Sequence, residues 1–271
     1  MRFEEAYRLL VKPGDGPISR HLNRRISIRI SLLLVRRGAP ISPTQMSAIS
    51  FATALLGSLA FLGCPLAGGL LAQLSSILDG CDGELARLTG RTSKRGGLVD
   101  SLLDRLADVA LVLGLAHLAY RSPWPAQLWL TWLPRPGDWH LLALFLTALA
   151  LAGSLMVSYC SAIFRALAGR QPKRHLGTRD VRLFLVMWAG ITGQLWAWSA
   201  AAWLALLVLL AWAEVLSCLG QAMHMREQEL QPARACLTHR ASPRAPGRGG
   251  ASSRASCGAG SGKRSSACGP L

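Results

Sequence analysis

The chain is built around a succession of apolar stretches, several of them approaching the ~20 residues that cross a lipid bilayer as a helix, joined by short links where arginine and lysine collect. Such stretches leave few options. A soluble domain must solvate its surface, whereas a bilayer accepts apolar helices because each helix satisfies its own backbone hydrogen bonds. Composition agrees: of 271 residues 51% are hydrophobic and 16% charged, and the mean hydropathy is +0.31. Charged residues in soluble proteins run at about 25%. The net charge of +16 would also suit a nucleic-acid binder. Here, however, the basic residues lie between the apolar stretches and in the tail, which is how positive cytoplasmic loops are distributed in membrane proteins. No nucleic-acid partner is expected.

The expected fold is all-α, a polytopic membrane protein with six transmembrane helices near residues 43–63, 66–88, 97–120, 139–167, 181–197 and 201–223. Arg91, Lys94 and Arg95 fall between the second and third, and Arg170, Lys173, Arg174 and Arg179 between the fourth and fifth. The third link has only Arg121 and Arg135 beside Trp124, Trp129 and Trp132, as an interface-hugging segment on the opposite side would. Six spans with both termini cytoplasmic satisfy this pattern.

Residues 1–38 form a basic juxtamembrane arm. Ile26, Ile30, Leu33 and Leu34 recur at helical spacing while Arg25, Arg29 and Arg36 occupy another face, which reads as an N-terminal amphipathic interfacial helix on an anionic membrane surface. A solvated basic arm is the alternative. Residues 39–225 make up the membrane domain. Residues 226–271 form a basic tail whose Gly, Ser, Ala, Pro and Arg cannot build a core, so disorder is expected there. Four cysteines sit in apolar runs and no C-x-x-C pair occurs, so reduced thiols that serve packing are the natural reading. No cleavable signal peptide is visible.

The chemistry concentrates in LDGCDGELARLTGRTSKRGGLVDSLLDRLADV, residues 78–109. Asp79 and Asp82 are three apart, and Gly83, Ala86 and Arg87 continue that helix. After a turn come Gly96, Asp100 and Asp104, the two acids four apart on one face of the next helix. Two antiparallel helices would turn both acidic pairs into one cavity. A charged side chain in mid-membrane costs about 2.5–3.5 kcal/mol on insertion scales, and four carboxylates repel unless something positive lies between them. Hard divalent ions take oxygen ligands, which makes Asp79, Asp82, Asp100 and Asp104 candidate ligands for Mg²⁺ or Mn²⁺, with two ions expected. The lack of a His or Cys companion argues against zinc.

Phosphate chemistry suits this set, because metal can bridge a diphosphate to aspartates and stabilise the leaving group. Gly83 lets a nucleotide approach the helix closely, and Arg87 offers a planar fork to phosphate oxygens. One acid must stay available to take a proton from an attacking hydroxyl; Asp104 is the candidate general base. Asp108, four residues on, reads as structural.

At these residues the sequence resembles the CDP-alcohol phosphatidyltransferase family. The pattern D-x2-D-G-x2-A-R-x8-G-x3-D-x3-D is matched without a gap by Asp79, Asp82, Gly83, Ala86, Arg87, Gly96, Asp100 and Asp104, eight identities over 26 positions. The resemblance covers about residues 10–225. It implies a six-helix membrane enzyme, a transferase of substituted phosphate groups, usually a homodimer, whose cavity faces the cytoplasm. It further implies that Asp79, Asp82 and Asp100 hold metal, that Asp104 is the base, and that Gly83, Ala86, Arg87 and Gly96 belong to the CDP site. The stretch from Lys12 to Ser31 and DGCDGELARL are similar to the membrane domain of di-myo-inositol phosphate phosphate synthases, which join CDP-inositol to inositol phosphate. Those enzymes often carry a cytidylyltransferase domain, and none precedes Met1, so another protein is expected to supply the carrier. The family's T-P-N before the first span reads Ser42-Pro43-Thr44 here, which loses the amide.

If the acceptor carries a phosphate, Arg165, Lys173, Arg179 and Arg182 are candidates to hold it; equally, these cations could only enforce orientation. The donor could be a soluble CDP-polyol, or CDP-diacylglycerol in a phospholipid synthase. Two other classes remain open: a transporter, since intramembrane carboxylates also mark ion pathways, and a basic membrane-anchored scaffold working through the arm and tail.

Overall fold

Local signals in the sequence set the helix boundaries. In the computed structural model, described over residues 3–11, 16–38, 41–121, 139–169, 172, 177–196 and 199–224, every regular element is helical. Helix α1 covers Phe3–Leu10, and a π turn at Ser19–Asn23 leads into α2, Arg24–Arg36. Six longer helices follow: α3 Pro43–Ala60, α4 Pro65–Leu88, α5 Lys94–Arg121, α6 Trp139–Ala168, α7 Arg179–Leu195 and α8 Ser199–Met223. Ser42 and Gln45 form a reciprocal capping box at the start of α3, with Pro43 in the first turn. Gly90 ends α4 at φ +66°, a conformation that glycine adopts without penalty. Ser93 then caps α5 by accepting from Gly96 N at 3.0 Å.

Two of these helices, His140–Ala168 and Ser199–Met223, are long and apolar enough to cross a membrane. Helices α4 and α5 carry acids and arginines within their length, among them Asp79, Asp82, Glu84 and Arg87 in one and Asp100, Asp104, Arg105 and Asp108 in the other. The tryptophan-bearing link, Arg170, Lys173 and Arg174, and the tail from residue 226 lie outside the described residues.

The core lies where α3, α4, α5, α7 and α8 meet, around Phe61, Leu111, Leu115, Val186 and Leu204. Helices α4 and α7 approach closely through glycine: a methyl on Gly69 would lie 2.6 Å from Met187 O, and one on Gly190 would lie 2.7 Å from Gly69 Cα. This fixes the N-terminal end of α7 over the acidic end of α4. One expectation needs correcting. Helices α4 and α5 are not packed along each other; they barely touch, and α3 packs against both. The turn between them is short, but the wedge of α3 holds them apart and leaves room between the acids.

Helix α2 also has a buried side. Ile26 and Leu33 are exposed, as are Arg25, Arg29 and Arg36, but the buried face is polar: Arg24, Ser27 and Ser31 beside Ile28 and Leu32, against α4. Helix α1 covers α2 through Ala6, Leu10, Ile28 and Leu32.

Candidate functional site

The last turns of α4 and the first turns of α5 bring acids together. One carboxylate oxygen from each of Asp79, Asp82 and Asp100 lies within 4.8 Å of the others. Asp82 is buried and accepts a 2.5 Å hydrogen bond from Ser47 Oγ of α3, which orients it. Three hard oxygen donors at this separation, with no imidazole or thiolate among them, fit a divalent cation of the Mg²⁺ or Mn²⁺ type. Asp104 is not among the three but lies beside Asp79. Its oxygen lies 3.0 Å from Arg179 Nη1, and the same nitrogen lies 2.8 Å from Asp79. Arg179 Nε is in turn 2.9 Å from Asp108, which also takes Arg182 at 3.4 Å and Ser154 Oγ at 3.3 Å. Asp108 therefore anchors two guanidiniums in a buried position and offsets part of their charge.

The acids form walls of two cavities. One, of about 470 Å³, is lined by Asp82, Asp100, Gly83, Ala86, Arg87 and Gly96, together with Ser42, Thr44 and the turn at Arg91–Ser93. A methyl on Gly83 would meet nothing closer than Arg87 Nη2 at 3.8 Å, so this glycine faces open space that a side chain would fill. Thr44 stands where the family pattern has an amide, and puts a hydroxyl on the wall. Arg87 is more constrained than the sequence alone implies: its Nε donates to Gly83 O and its Nη1 to Leu10 O, both at 2.8 Å. Its guanidinium therefore also ties α1 to α4.

The other cavity, of about 360 Å³, is lined by Asp79, Asp104, Arg165, Arg179 and Arg182, and by Ser19, Asn23, Arg24 and Ser27 of the arm. Three of the four cations proposed for an acceptor phosphate are thus brought together; Lys173 lies outside the described residues. A narrow crevice bordered by Ser47, Asp79, Asp100, Asp104 and Arg179 lies between the cavities.

Sequence reasoning missed Ser47 and the arm residues, and it passed over Glu84. That side chain has no exposed surface and accepts from Arg24, Ser27 and Ser31. A signal existed: positions 24, 27 and 31 share one helix face at i, i+3 and i+7 spacing.

Comparison with known proteins places the chain among relatives. Residues 41–218 match the family model of CDP-alcohol phosphatidyltransferase. The bifunctional IPC transferase and DIPP synthase of Thermococcus kodakarensis is 43% identical over 197 residues, 68% of this chain and 40% of that protein. The chain thus spans about two fifths of that relative's length. Among solved structures, Mycobacterium tuberculosis phosphatidylinositol phosphate synthase in complex with manganese and citrate superposes with a TM-score of 0.57 at 22% identity, covering 73% of this chain and 89% of that one. The same synthase with CDP-DAG bound gives 0.55 at 23% identity, over 73% and 92%. At that identity the likeness speaks for the fold.

Proposed function

The chain belongs to the CDP-alcohol phosphatidyltransferase family, a family of transferases of phosphorus-containing groups, and from that premise we propose that it transfers a phospho-alcohol from a CDP-alcohol to an acceptor hydroxyl and releases CMP. The observation that carries this reading is that the clustered acids line two neighbouring cavities, Asp82 and Asp100 one and Asp79 and Asp104 the other.

In the proposed reaction the donor lies in the cavity of Gly83, Ala86, Arg87 and Gly96, with its pyrophosphate towards Asp79, Asp82 and Asp100. Divalent ions held by these aspartates, two of them in the proposal, would offset the diphosphate charge and stabilise the CMP leaving group. Asp104 takes the proton of the acceptor hydroxyl. The freed oxygen attacks the phosphorus that bears the alcohol, and the bond from that phosphorus to CMP breaks. Arg165, Arg179 and Arg182 hold an acceptor phosphate, and the fixed placement of both substrates accounts for much of the rate. Asp104 is assigned as base because it lines the acceptor cavity and is not one of the three acids whose oxygens come within 4.8 Å of one another.

For substrates we propose CDP-inositol and inositol phosphate. The likeness to a DIPP synthase supports this pair, as does an acceptor cavity walled by serine, asparagine and arginine. A lipid donor, CDP-diacylglycerol, is the second reading, favoured by the structural neighbour that binds it. The proposal includes six membrane spans with the site facing the cytoplasm, an interfacial arm at 1–38, a membrane domain at 39–225, a basic tail beyond, and a homodimer. The test incubates purified chain and Mn²⁺ with each labelled donor and inositol phosphate, glycerol phosphate or serine. A water-soluble phosphodiester supports the inositol pair, and a lipid-extractable product supports the lipid donor. No metal-dependent CMP release from any pair would leave the transporter or scaffold readings standing instead.

A further inference from the structure

The arm is tied to the helices that carry the site at three separate points. Arg87 Nη1 of α4 donates to Leu10 O at the end of α1. Ser19 N, at the π turn, donates to Asp180 Oδ2 of α7 at 2.7 Å. Between them Glu84 of α4 gathers three donors from α2: Arg24 Nη1 at 2.9 Å, Ser27 Oγ at 2.6 Å and Ser31 Oγ at 2.8 Å. Beside this cluster Asn23 donates to Ser76 Oγ at 3.0 Å and accepts from Gln73 Nε2 at 2.7 Å.

Helix attachment alone does not call for such an arrangement. An apolar seam would hold α2 on α4 without the desolvation cost of a buried ion pair, which often exceeds the Coulombic gain. Three directed bonds to one carboxylate add a single rotational setting. A helix advances about 100° per residue, so one step of rotation would carry Asn23 and Arg24 off the cavity wall. In the observed setting Ser19, Asn23, Arg24 and Ser27 line the cavity of Asp79, Asp104 and Arg165. Glu84 and Ser31 do not line it.

We propose that Glu84 is a positioning residue that sets the rotation of α2, and that Ser19, Asn23 and Arg24 so placed select a phosphorylated polyol as acceptor. The second N–H of the Asn23 amide and the Ser19 hydroxyl meet the polyol hydroxyls, while the arginines across the cavity meet the phosphate. This rests on the reading of that cavity as the acceptor site.

The test uses purified full-length chain with Mn²⁺, whichever of CDP-inositol and CDP-diacylglycerol supports turnover, and inositol phosphate or glycerol phosphate as acceptor. Glu84→Gln and Ser31→Ala are compared with wild type for KM of each substrate, kcat, and cleavage of the arm by trypsin. Loss of a charge-assisted hydrogen bond translates to a rise of about tenfold in the inositol phosphate KM for Glu84→Gln, and less for Ser31→Ala. The donor KM and kcat hold steady, the preference for inositol phosphate over glycerol phosphate narrows, and the arm is cut faster. An unchanged acceptor KM in the folded variants overturns the inference, as does an equal rise for donor and acceptor, the mark of general loosening. Should Glu84→Gln fail to fold, Ser31→Ala decides, since it keeps the ion pair and its side chain lies off the cavity. Arg165→Ala separates the two levels. If it leaves the inositol phosphate KM unchanged, the acceptor-site reading fails; if it raises that KM while the other two do not, only the positioning role fails.

Discussion

Arg179 meets Asp79 at 2.8 Å and Asp104 at 3.0 Å through one nitrogen, and Asp108 at 2.9 Å through another. A planar guanidinium held on both edges has one orientation, with its charge directed at the acid cluster. Removing one side of a buried pair leaves an uncompensated charge that costs about 3–5 kcal/mol. Asp108→Asn is therefore expected to release Arg179 and Arg182 together and to raise the KM for a phosphorylated acceptor by about tenfold or more. Titration with Mn²⁺, followed by its electron spin resonance, should still reach saturation, because Asp108 is outside the proposed metal-binding trio. Asp104→Asn should act on the other parameter. A general base contributes about 10²–10⁴-fold, so kcat should fall by that order while both substrates still bind, as measured by equilibrium dialysis. An Asp104→Asn protein with near-normal kcat would remove the proposed base. The acids themselves were legible in the sequence because eight motif positions fall within 26 residues on two consecutive helices. Their cationic partner was legible as a basic link residue and a candidate for an acceptor phosphate, but not as a partner of the acids: Arg179 reaches Asp79 across 100 positions, and no periodicity reports a contact of that kind.

At the scale of helices, hydrophobic length and capping residues gave the six long elements nearly to their ends, since Pro43, Pro65 and Gly90 act locally. Packing partners are non-local and were not readable in the same way. A short turn implied that α4 and α5 lie side by side, whereas small residues elsewhere decide the neighbours and α3 enters between them. The crossing of α4 over α7 depends on Gly69 and Gly190, whose backbones approach too closely for a side chain. Forcing a side chain into such a contact costs about 1–3 kcal/mol or more. Gly190→Val is expected to lower the thermal midpoint in detergent and to cut turnover beyond what the lost stability explains, because α7 carries Arg179 and Arg182 into the site. Gly220→Ala on α8, where an added methyl meets nothing within 4 Å, should change neither. Equal behaviour of the two variants would mean that the glycine crossing does not position the cations.

For the molecule as a whole, α4 sets the geometry of the proposed membrane arrangement. Its 24 residues extend about 36 Å at 1.5 Å each, enough to cross a hydrocarbon core of about 30 Å. Exposed Cys64 caps one end, and Gly90 with the turn to Ser93 closes the other. Asp79, Asp82 and both cavities belong to the second end, which also carries Arg91, Lys94 and Arg95. Positive links favour the cytoplasmic side, so substrates that arise in the cytoplasm would enter there without crossing the bilayer, while Cys64 would face the far side. Replacing every other cysteine with serine leaves Cys64 as one probe, and Thr92→Cys in a chain lacking Cys64 supplies the opposite one. In sealed vesicles of known sidedness, a membrane-impermeant maleimide should label Thr92→Cys only from the cytoplasmic face and Cys64 only from the other. Labelling of both from the same face would mean that α4 does not span the membrane and would end the six-span arrangement. Labelling on opposite faces in the reverse sense would keep the spans but turn the site outward, where a cytidine-nucleotide donor made inside the cell could not reach it.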